Sequence, residues 1–208
     1  MISTSDISQA LVGKQLLIFD FDGTIADTGA LHAAAFEKVL SRLGIIVHYP
    51  FIAGMKTADA IKCCANMHGL ELTTDQIREL QIAKQSVVRE LIGLQLMPIP
   101  DADWFLLWAK QHYYLSMASS GSRETVKLSL NKLGLTDWFN PLVCADDIER
   151  AKPYPDSFLK VLSLTGYKPH QALIFEDSEA GLAAAEAAGI SCIHINKMSW
   201  TMFKKQIK

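Results

Sequence analysis

The chain is short of several things, and each shortage excludes a class of function. It has no surplus of basic residues: 20 Lys and Arg stand against 22 Asp and Glu, a formal net charge of −2. Without a basic stripe, nucleic acid is not expected as its main partner. It has only four cysteines in 208 residues, Cys63, Cys64, Cys144 and Cys192, with no C-x-x-C spacing among them. A disulfide framework and a cysteine metal site are therefore not expected, and free thiols suit a reducing cytoplasm. Adjacent Cys63 and Cys64 read as small packing residues on a helix. No apolar run approaches the roughly 20 residues that span a bilayer, so no membrane segment is expected. Met1 to Gly13 has neither a basic n-region nor an apolar h-region, so it does not read as a signal peptide. There is no internal repeat and no low-complexity segment. Half of the residues are hydrophobic, enough to bury a sizeable core.

What is present is organised around Phe19-Asp20-Phe21-Asp22-Gly23-Thr24. The apolar run Leu16 to Phe19 reads as a short buried strand, and Asp20 stands where the chain leaves it. In an open α/β sheet, ligands bind outside the carboxyl ends of the strands. Two carboxylates two residues apart can point into one site if the backbone stays extended. Gly23 permits a tight turn and close approach to a ligand, and Thr24 adds a hydroxyl and an N–H. This is equipment for a phosphate and a metal.

The rest of the chain falls into two patterns. From about residue 29 to 96 the periodicity is helical. Apolar residues recur at helical spacing from Leu31 to Leu43, with Gly44 at the C′ position. A second helix spans Thr57 to His68, with Ile61, Cys64, Ala65 and Met67 inward. A third opens at Thr73, with Gln76 as its capping-box partner. Ala26-Asp27-Thr28-Gly29 reads as the connector into this block, Met97-Pro98-Ile99-Pro100 punctuates its end, and a helix is expected from Asp101 to about Gln111. Beyond it, helices and apolar strands alternate, with strands expected at Tyr113 to Ala118, Leu142 to Ala145, Ala172 to Phe175 and Ser191 to Ile195. Five strands with helical crossovers predict an α/β fold: a doubly wound five-stranded parallel Rossmann-like core. Residues 1–28 and 97–208 would form that core, and 29–96 an inserted α-helical cap over the paired aspartates. The tail carries Trp200 and Phe203, read as packing on the sheet rather than on a membrane.

Four strand ends then carry polar residues: Asp20 and Asp22; Ser119 and Ser120; Lys152 in the loop after the third strand; Glu176 and Asp177. In a parallel sheet all of these lie on one edge. A phosphoryl group in transfer carries negative charge on its equatorial oxygens, so its catalysis is mostly positioning and electrostatics. Lys152 offers a point charge and three donors. Ser119, and the N–H groups near Ser120 and Gly121 at a helix start, offer further donors. Asp20, Glu176 and Asp177 make an oxygen-rich site suited to Mg²⁺.

Asp20-Phe21-Asp22-Gly23-Thr24, Ser119, Lys152 and Glu176-Asp177 resemble, in order, the four motifs of the haloacid dehalogenase-like hydrolases, and the resemblance spans essentially the whole chain. The helical insertion, with Thr24 to Thr28 and His32, is similar to the beta-phosphoglucomutase and small sugar-phosphate phosphatase branch. The resemblance implies that Asp20 is the nucleophile and Asp22 the general acid/base, whose backbone carbonyl also ligates Mg²⁺. It implies that Ser119 and Lys152 bind the phosphoryl group and that Asp177, with Glu176, holds the metal. Dehalogenases of the superfamily lack the second aspartate, so Asp22 favours phosphate chemistry.

The expected partner is a small-molecule phosphate monoester, and a monomer is expected because capped members often are. His32 and Lys84 are the expected substrate contacts from the cap; Lys56, Lys62 and Arg89 read as solvated charges. Asp146 and Asp147 are expected to shape the loop carrying Lys152. The mutase pattern has an arginine three residues after a cap-loop glycine; in Gly54-Met55-Lys56-Thr57 that place is held by Thr57. The expectation is therefore a phosphatase, with a mutase as the alternative if Lys56 substitutes for the arginine. A catalytically silent binding protein on the same fold is a further alternative, but no motif carboxylate or lysine is lost.

Overall fold

A computed structural model describes residues 7–196 and 198–207. The first six residues of the polar lead-in lie outside the described residues. Helix α1 (Ile7–Leu11) leads into strand β1 (Leu16–Phe19). Strand β2 (Ala26–Asp27) precedes a helical stretch of α2 (Gly29–Leu40), α3 (Thr57–Met67) and α4 (Thr74–Gln95). After β3 (Met97–Pro98) come α5 (Ala102–Ala109), β4 (Tyr114–Ala118), α6 (Arg123–Lys132) and β5 (Leu142–Val143). Then follow α7 (Asp156–Thr165), β6 (Ala172–Glu176), α8 (Glu179–Ala187), β7 (Ser191–His194) and α9 (Trp200–Gln206).

Five strands form one parallel sheet in the order β5-β4-β1-β6-β7. The chain builds outward from β1 through β4 to β5, then returns to β1's other side for β6 and β7. That reversal places a crevice at the carboxyl end of β1, where Asp20 stands. Strand alternation sorts the core. Leu17 and Phe19 face one cluster with Phe105, Phe175, Trp200 and Phe203, whereas Leu16 and Ile18 face the other with Phe158, Val161 and Ala184. Each face is covered by helices, which is why β1 is apolar at every position.

The helical stretch holds its own apolar cluster, centred on Phe36, Leu40, Ile61 and Cys64. Val88 and Ile92 of α4, with Leu96 just past its end, instead join the sheet's cluster, which anchors the stretch on the α/β layer. Thr73 and Gln76 form the expected reciprocal cap at the start of α4, at 3.2 and 2.9 Å.

Four local expectations are corrected. The connector at Ala26–Asp27 is a strand that pairs antiparallel with Met97–Pro98, tying together the two crossings to the helical stretch. That pairing joins residues 70 positions apart, beyond any local signal. Met67, the last residue of α3, is 61% exposed although Cys64 and Ala65 of the same turn are buried, so it lies on the helix's outer side. The strand expected to reach Ala145 stops at Val143, where Ala145–Asp147 tightens into a single 3-10 turn. The helix expected to begin at Asp101 begins at Ala102: Asp101 lies outside it with φ 62°, a left-handed conformation. Its carboxylate accepts Thr201 Oγ1 at 2.6 Å and Lys204 Nζ at 2.7 Å from α9, contacts that hold a conformation otherwise unfavourable for a β-carbon residue.

The tail packs on the sheet, as expected. Trp200 is fully buried, its ring centroid 4.7 Å from Phe105 and 5.2 Å from Phe175. Its indole N–H donates to the Thr24 carbonyl at 2.8 Å. Among the described residues no helix is long and apolar enough to cross a membrane. Trp200→Ala should cost about 3–5 kcal/mol of stability through the cavity it leaves. Trp200→Phe, which keeps the ring contacts and strands one carbonyl, should cost about 1–3 kcal/mol. Urea unfolding of both variants measures the order.

Candidate active site

Asp20 is the first residue past β1, and its amide continues the ladder to the Phe175 carbonyl at 3.0 Å. Its side chain is therefore aimed off the sheet's edge, where it is 5% exposed. Lys152 reaches it from the loop before α7: Nζ donates to Asp20 Oδ1 at 2.6 Å, Glu176 Oε1 at 2.5 Å and the Ala118 carbonyl at 3.2 Å. An ammonium has three donors, so these acceptors saturate it. Burial alone would make Lys152 easier to deprotonate, but Asp20 and Glu176 outweigh that and hold its pKa above the ordinary lysine value.

Glu176 is equally enclosed. Its second oxygen accepts the amides of Asp177 and Ser178 at 2.7 and 2.8 Å and the Ser178 hydroxyl at 3.0 Å. A Cβ on Gly181 would lie 1.8 Å from Glu176 Oε1, so only glycine leaves room for the carboxylate against α8.

Asp22 is the more open acid. Its Oδ1 accepts the Thr28 hydroxyl at 2.6 Å and lies 3.6 Å from His32 Nε2. On the ring's other side, Lys84 Nζ donates to His32 Nδ1 at 3.0 Å. Since lysine only donates, Nδ1 must accept, and in the neutral ring the hydrogen sits on Nε2, toward Asp22. Burial lowers His32 to about 4, assisted by the Lys84 charge and opposed by Asp22. Lys84 is 2% exposed and lowered to about 8 by burial. The helical stretch thus reaches Asp22 through buried Lys84 and half-buried His32.

These residues surround a cavity of about 410 Å³ roofed by Tyr49, Ile52 and Met55. Tyr49, which sequence reading passed over, is held well above its usual pKa by burial and by the nearby acids. Asp20, Glu176 and Asp177 each offer an oxygen within 4.8 Å of the others. The Asp177 carboxylate accepts no hydrogen bond from any other described residue. Burial, then the Glu176 charge, pushes it up to about 7. Asp20 is also raised by burial, with Lys152 opposing. Acids in excess of their cations, one with free oxygens, are the donor set of a hard divalent cation.

The sequence profile of the haloacid dehalogenase-like hydrolases matches residues 17–195. The chain belongs to this family. Fructose-1-phosphate phosphatase YqaB of Escherichia coli is 30% identical over 181 residues, which cover 86% of this chain and 95% of that protein. Crystalline CbbY from Rhodobacter sphaeroides in complex with phosphate superposes with a TM-score of 0.79, at 24% identity over 87% of this chain and 85% of that one. Beta-phosphoglucomutase from Clostridium difficile superposes with a TM-score of 0.80, at 19% identity over 93% and 96% of the two chains. Family members generally use a divalent metal, which agrees with the acid cluster.

The hydrolase departs from the sequence reading in how its amides are used. The Gly23 amide donates to the Ala26 carbonyl at 2.8 Å and the Thr24 amide to the Phe21 carbonyl at 3.3 Å. Thr24 is fully buried and does not line the cavity, so its expected role as a phosphate ligand is corrected. Gly23 does line the cavity, at φ 83°; a Cβ there would fall 2.2 Å from Asp177 Oδ2. Its contribution is space and turn geometry. The free amides are those of Phe21, Asp22 and Ser120, which have no protein acceptor among the described residues. A turn's free donors follow from its hydrogen bonding, which composition does not reveal. Ser119 is 1% exposed, behind Ser120, and its Oγ accepts the Gly121 amide at 3.0 Å, leaving its hydrogen to donate.

The remaining candidates divide. Lys56 is no solvated charge: its Nζ donates to the Ile148 and Glu149 carbonyls, both at 2.8 Å, in the loop leading to Lys152. Arg89 stays partly exposed and pairs at the surface with Glu124 of α6 at 2.9 Å. Lys62 is exposed, as expected. Asp146 and Asp147 shape the Lys152 loop, accepting the Arg123 amide at 2.6 Å and the Cys144 amide at 2.7 Å, with an Arg123–Asp147 ion pair.

Two outcomes test this geometry. An alanine in a helix usually gains about 0.5–1 kcal/mol over glycine, but Gly181→Ala should instead lose about 1–3 kcal/mol by overpacking Glu176, as urea unfolding would read. For Lys84, the folded chain favours the neutral amine, so the unfolded chain holds more protons between about pH 8 and the ordinary value of 10.5. Wild type should therefore gain stability relative to Lys84→Met as pH rises through that window, in parallel denaturation series.

Proposed function

We propose that the chain is a Mg²⁺-dependent phosphatase of a small phosphorylated metabolite, of the sugar-phosphate class, acting through an aspartyl-phosphate on Asp20. The observation that carries this reading is Lys152 bridging Asp20 and Glu176 beside Asp22 and Asp177, all on one cavity. The sugar-phosphate class rests on the name of the Escherichia coli relative.

In this reading Lys152 holds one oxygen of Asp20 and leaves the other to attack phosphorus. The bond from phosphorus to the leaving oxygen breaks as Asp22 gives that oxygen a proton. Asp22 then takes a proton from water, which attacks the aspartyl-phosphate; phosphate leaves and Asp20 is restored. The amides of Phe21, Asp22 and Ser120, with the Ser119 hydroxyl, are the donors to the equatorial oxygens. Thr28 holds Asp22 toward the cavity, with His32 Nε2 3.6 Å away. The proposed metal ligands are Asp20, Asp177 and the Asp22 carbonyl, and bound Mg²⁺ offsets the repulsion between carboxylate and phosphate. Glu176 lies within reach of the same ion. Its oxygens are already filled by Lys152, two amides and a hydroxyl, so its role is to anchor Lys152.

Residues 29–96 are the cap in this reading, closing over the site to exclude bulk water during phosphoryl transfer. Water is the acceptor rather than a second sugar phosphate. Thr57 stands where a mutase has its arginine, and Lys56 is engaged by two carbonyls of the core loop. The reading is of a monomer in the cytoplasm, in keeping with four free cysteines.

Asp20→Asn should abolish turnover while leaving the circular dichroism spectrum and melting temperature close to wild type. A screen of phosphorylated metabolites should show phosphate release that EDTA stops and Mg²⁺ restores. Full activity in Asp20→Asn would refute the mechanism. Hexose 1-phosphate to 6-phosphate conversion with a bisphosphate primer, faster than hydrolysis, would favour the mutase.

A further inference from the structure

One group in the site carries more support than its place in a turn requires. The Asp177 carbonyl accepts two side-chain hydrogen bonds, from His194 Nε2 at 2.8 Å and from Asn196 Nδ2 at 3.0 Å. Both donors come from the end of β7, which is in register with β6, Glu176 opposite His194. The ladder itself ends one residue earlier, where the Ile195 amide donates to the Glu176 carbonyl at 2.7 Å. Beyond that point the backbone has left β6 and has not begun α8. Side chains set the Asp177 peptide plane there: His194 and Asn196 on its carbonyl, and Glu176 accepting the Ser178 amide of the same plane at 2.8 Å. A carbonyl only accepts, so the His194 hydrogen sits on Nε2; its Nδ1 is buried without a partner among the described residues. The ring is thus committed to this one contact.

The contact matters because of what Asp177 lacks. No other described residue donates a hydrogen bond to its carboxylate. Its direction is therefore set by its backbone and by the close approach of Gly23 on the opposite side. Fixing the carbonyl fixes ψ of Asp177, and with it the Cα–Cβ vector toward Asp20.

We infer that His194, with Asn196, is a positioning residue for Asp177 and sets the affinity of the acid cluster for a divalent cation. The inference rests on the proposed metal site and adds two residues that act on it through the Asp177 backbone; Asn196 also lines the cavity. Outer-shell hydrogen bonds of this kind typically carry about 10–100-fold in metal affinity.

Isothermal titration of Mg²⁺ into metal-free protein tests it without reference to turnover. His194→Met, which fills the space without a donor, should bind Mg²⁺ about 10–100-fold more weakly than wild type. His194→Gln places an amide N–H near the position of Nε2 and should recover most of the loss. Asn196 is exposed, so Asn196→Ala should fold normally and show a smaller weakening; it carries the test should His194→Met not fold. Wild-type affinity in His194→Met, or in Asn196→Ala where that variant carries the test, would overturn the inference. So would a His194→Gln variant as weak as His194→Met. Either result would leave the metal site standing, whereas no Mg²⁺ binding by wild type would remove the site and the inference together.

Discussion

The buried ion triad of Lys152 with Asp20 and Glu176 is the constraint on which the site depends. Lys152 and Glu176 are almost sealed from solvent, and Asp20 nearly so. Taking such charges out of water costs several kcal/mol for each ion, and it is recovered only where geometry is good and remaining donors and acceptors are met. Here they are met: Lys152 has three acceptors, and Glu176 has Lys152 plus three donors. The surrounding chain is shaped to permit this, with glycine at 181 to make room and Ser178 both bonding Glu176 and capping α8. Breaking one member would strand the others, which ties the fold of the sheet's edge to the chemistry it supports.

A second layer connects the helical stretch to that edge. Lys84 and His32 reach Asp22 from one side, Lys56 grips the loop before Lys152, and Arg89 pairs with Glu124. Of these, the Lys84–His32 contact is buried and the Arg89 pair is exposed on its Glu124 side. Surface pairs contribute about 0–1 kcal/mol, so Lys56 and Arg89 suit contacts that break and re-form. The acid in contact with the helical stretch is also the more open one, as a proton carrier must be. On the proposed reading of residues 29–96 as a cap, these contacts would couple its position to the readiness of Asp22.

Much of the fold was legible because its signals are local. Apolar runs of four or five residues marked the strands, and helical spacing marked α2 to α4. Thr73 and Gln76 announced the start of α4, and Gly44 and Gly166 took the left-handed conformation at helix ends. The failures share a cause. The β2–β3 pair, the left-handed Asp101 and the end of β5 are each decided by partners distant in the chain. Asp101 is held by Thr201 and Lys204, a hundred residues away. The site was legible to a similar depth. Asp20, Asp22, Lys152 and Asp177 were placed by strand-end logic, while Tyr49, His194 and Asn196 carried no motif.

By itself the sequence determined the chemistry available to this protein. An acid at the end of a central strand, a lysine and a second acidic pair at other strand ends must meet, because parallel strands with helical crossovers bring their carboxyl ends to one edge. Tertiary structure alone decided how those groups are used. It spent the Gly23 and Thr24 amides inside the turn and left those of Phe21, Asp22 and Ser120 free. It enclosed Glu176 around Lys152 while leaving the Asp177 carboxylate open. It turned Lys56 from a surface charge into a clasp on the core. The physical reason is that hydrogen bonding and burial are properties of neighbours in space, whereas residue type and spacing are properties of the chain.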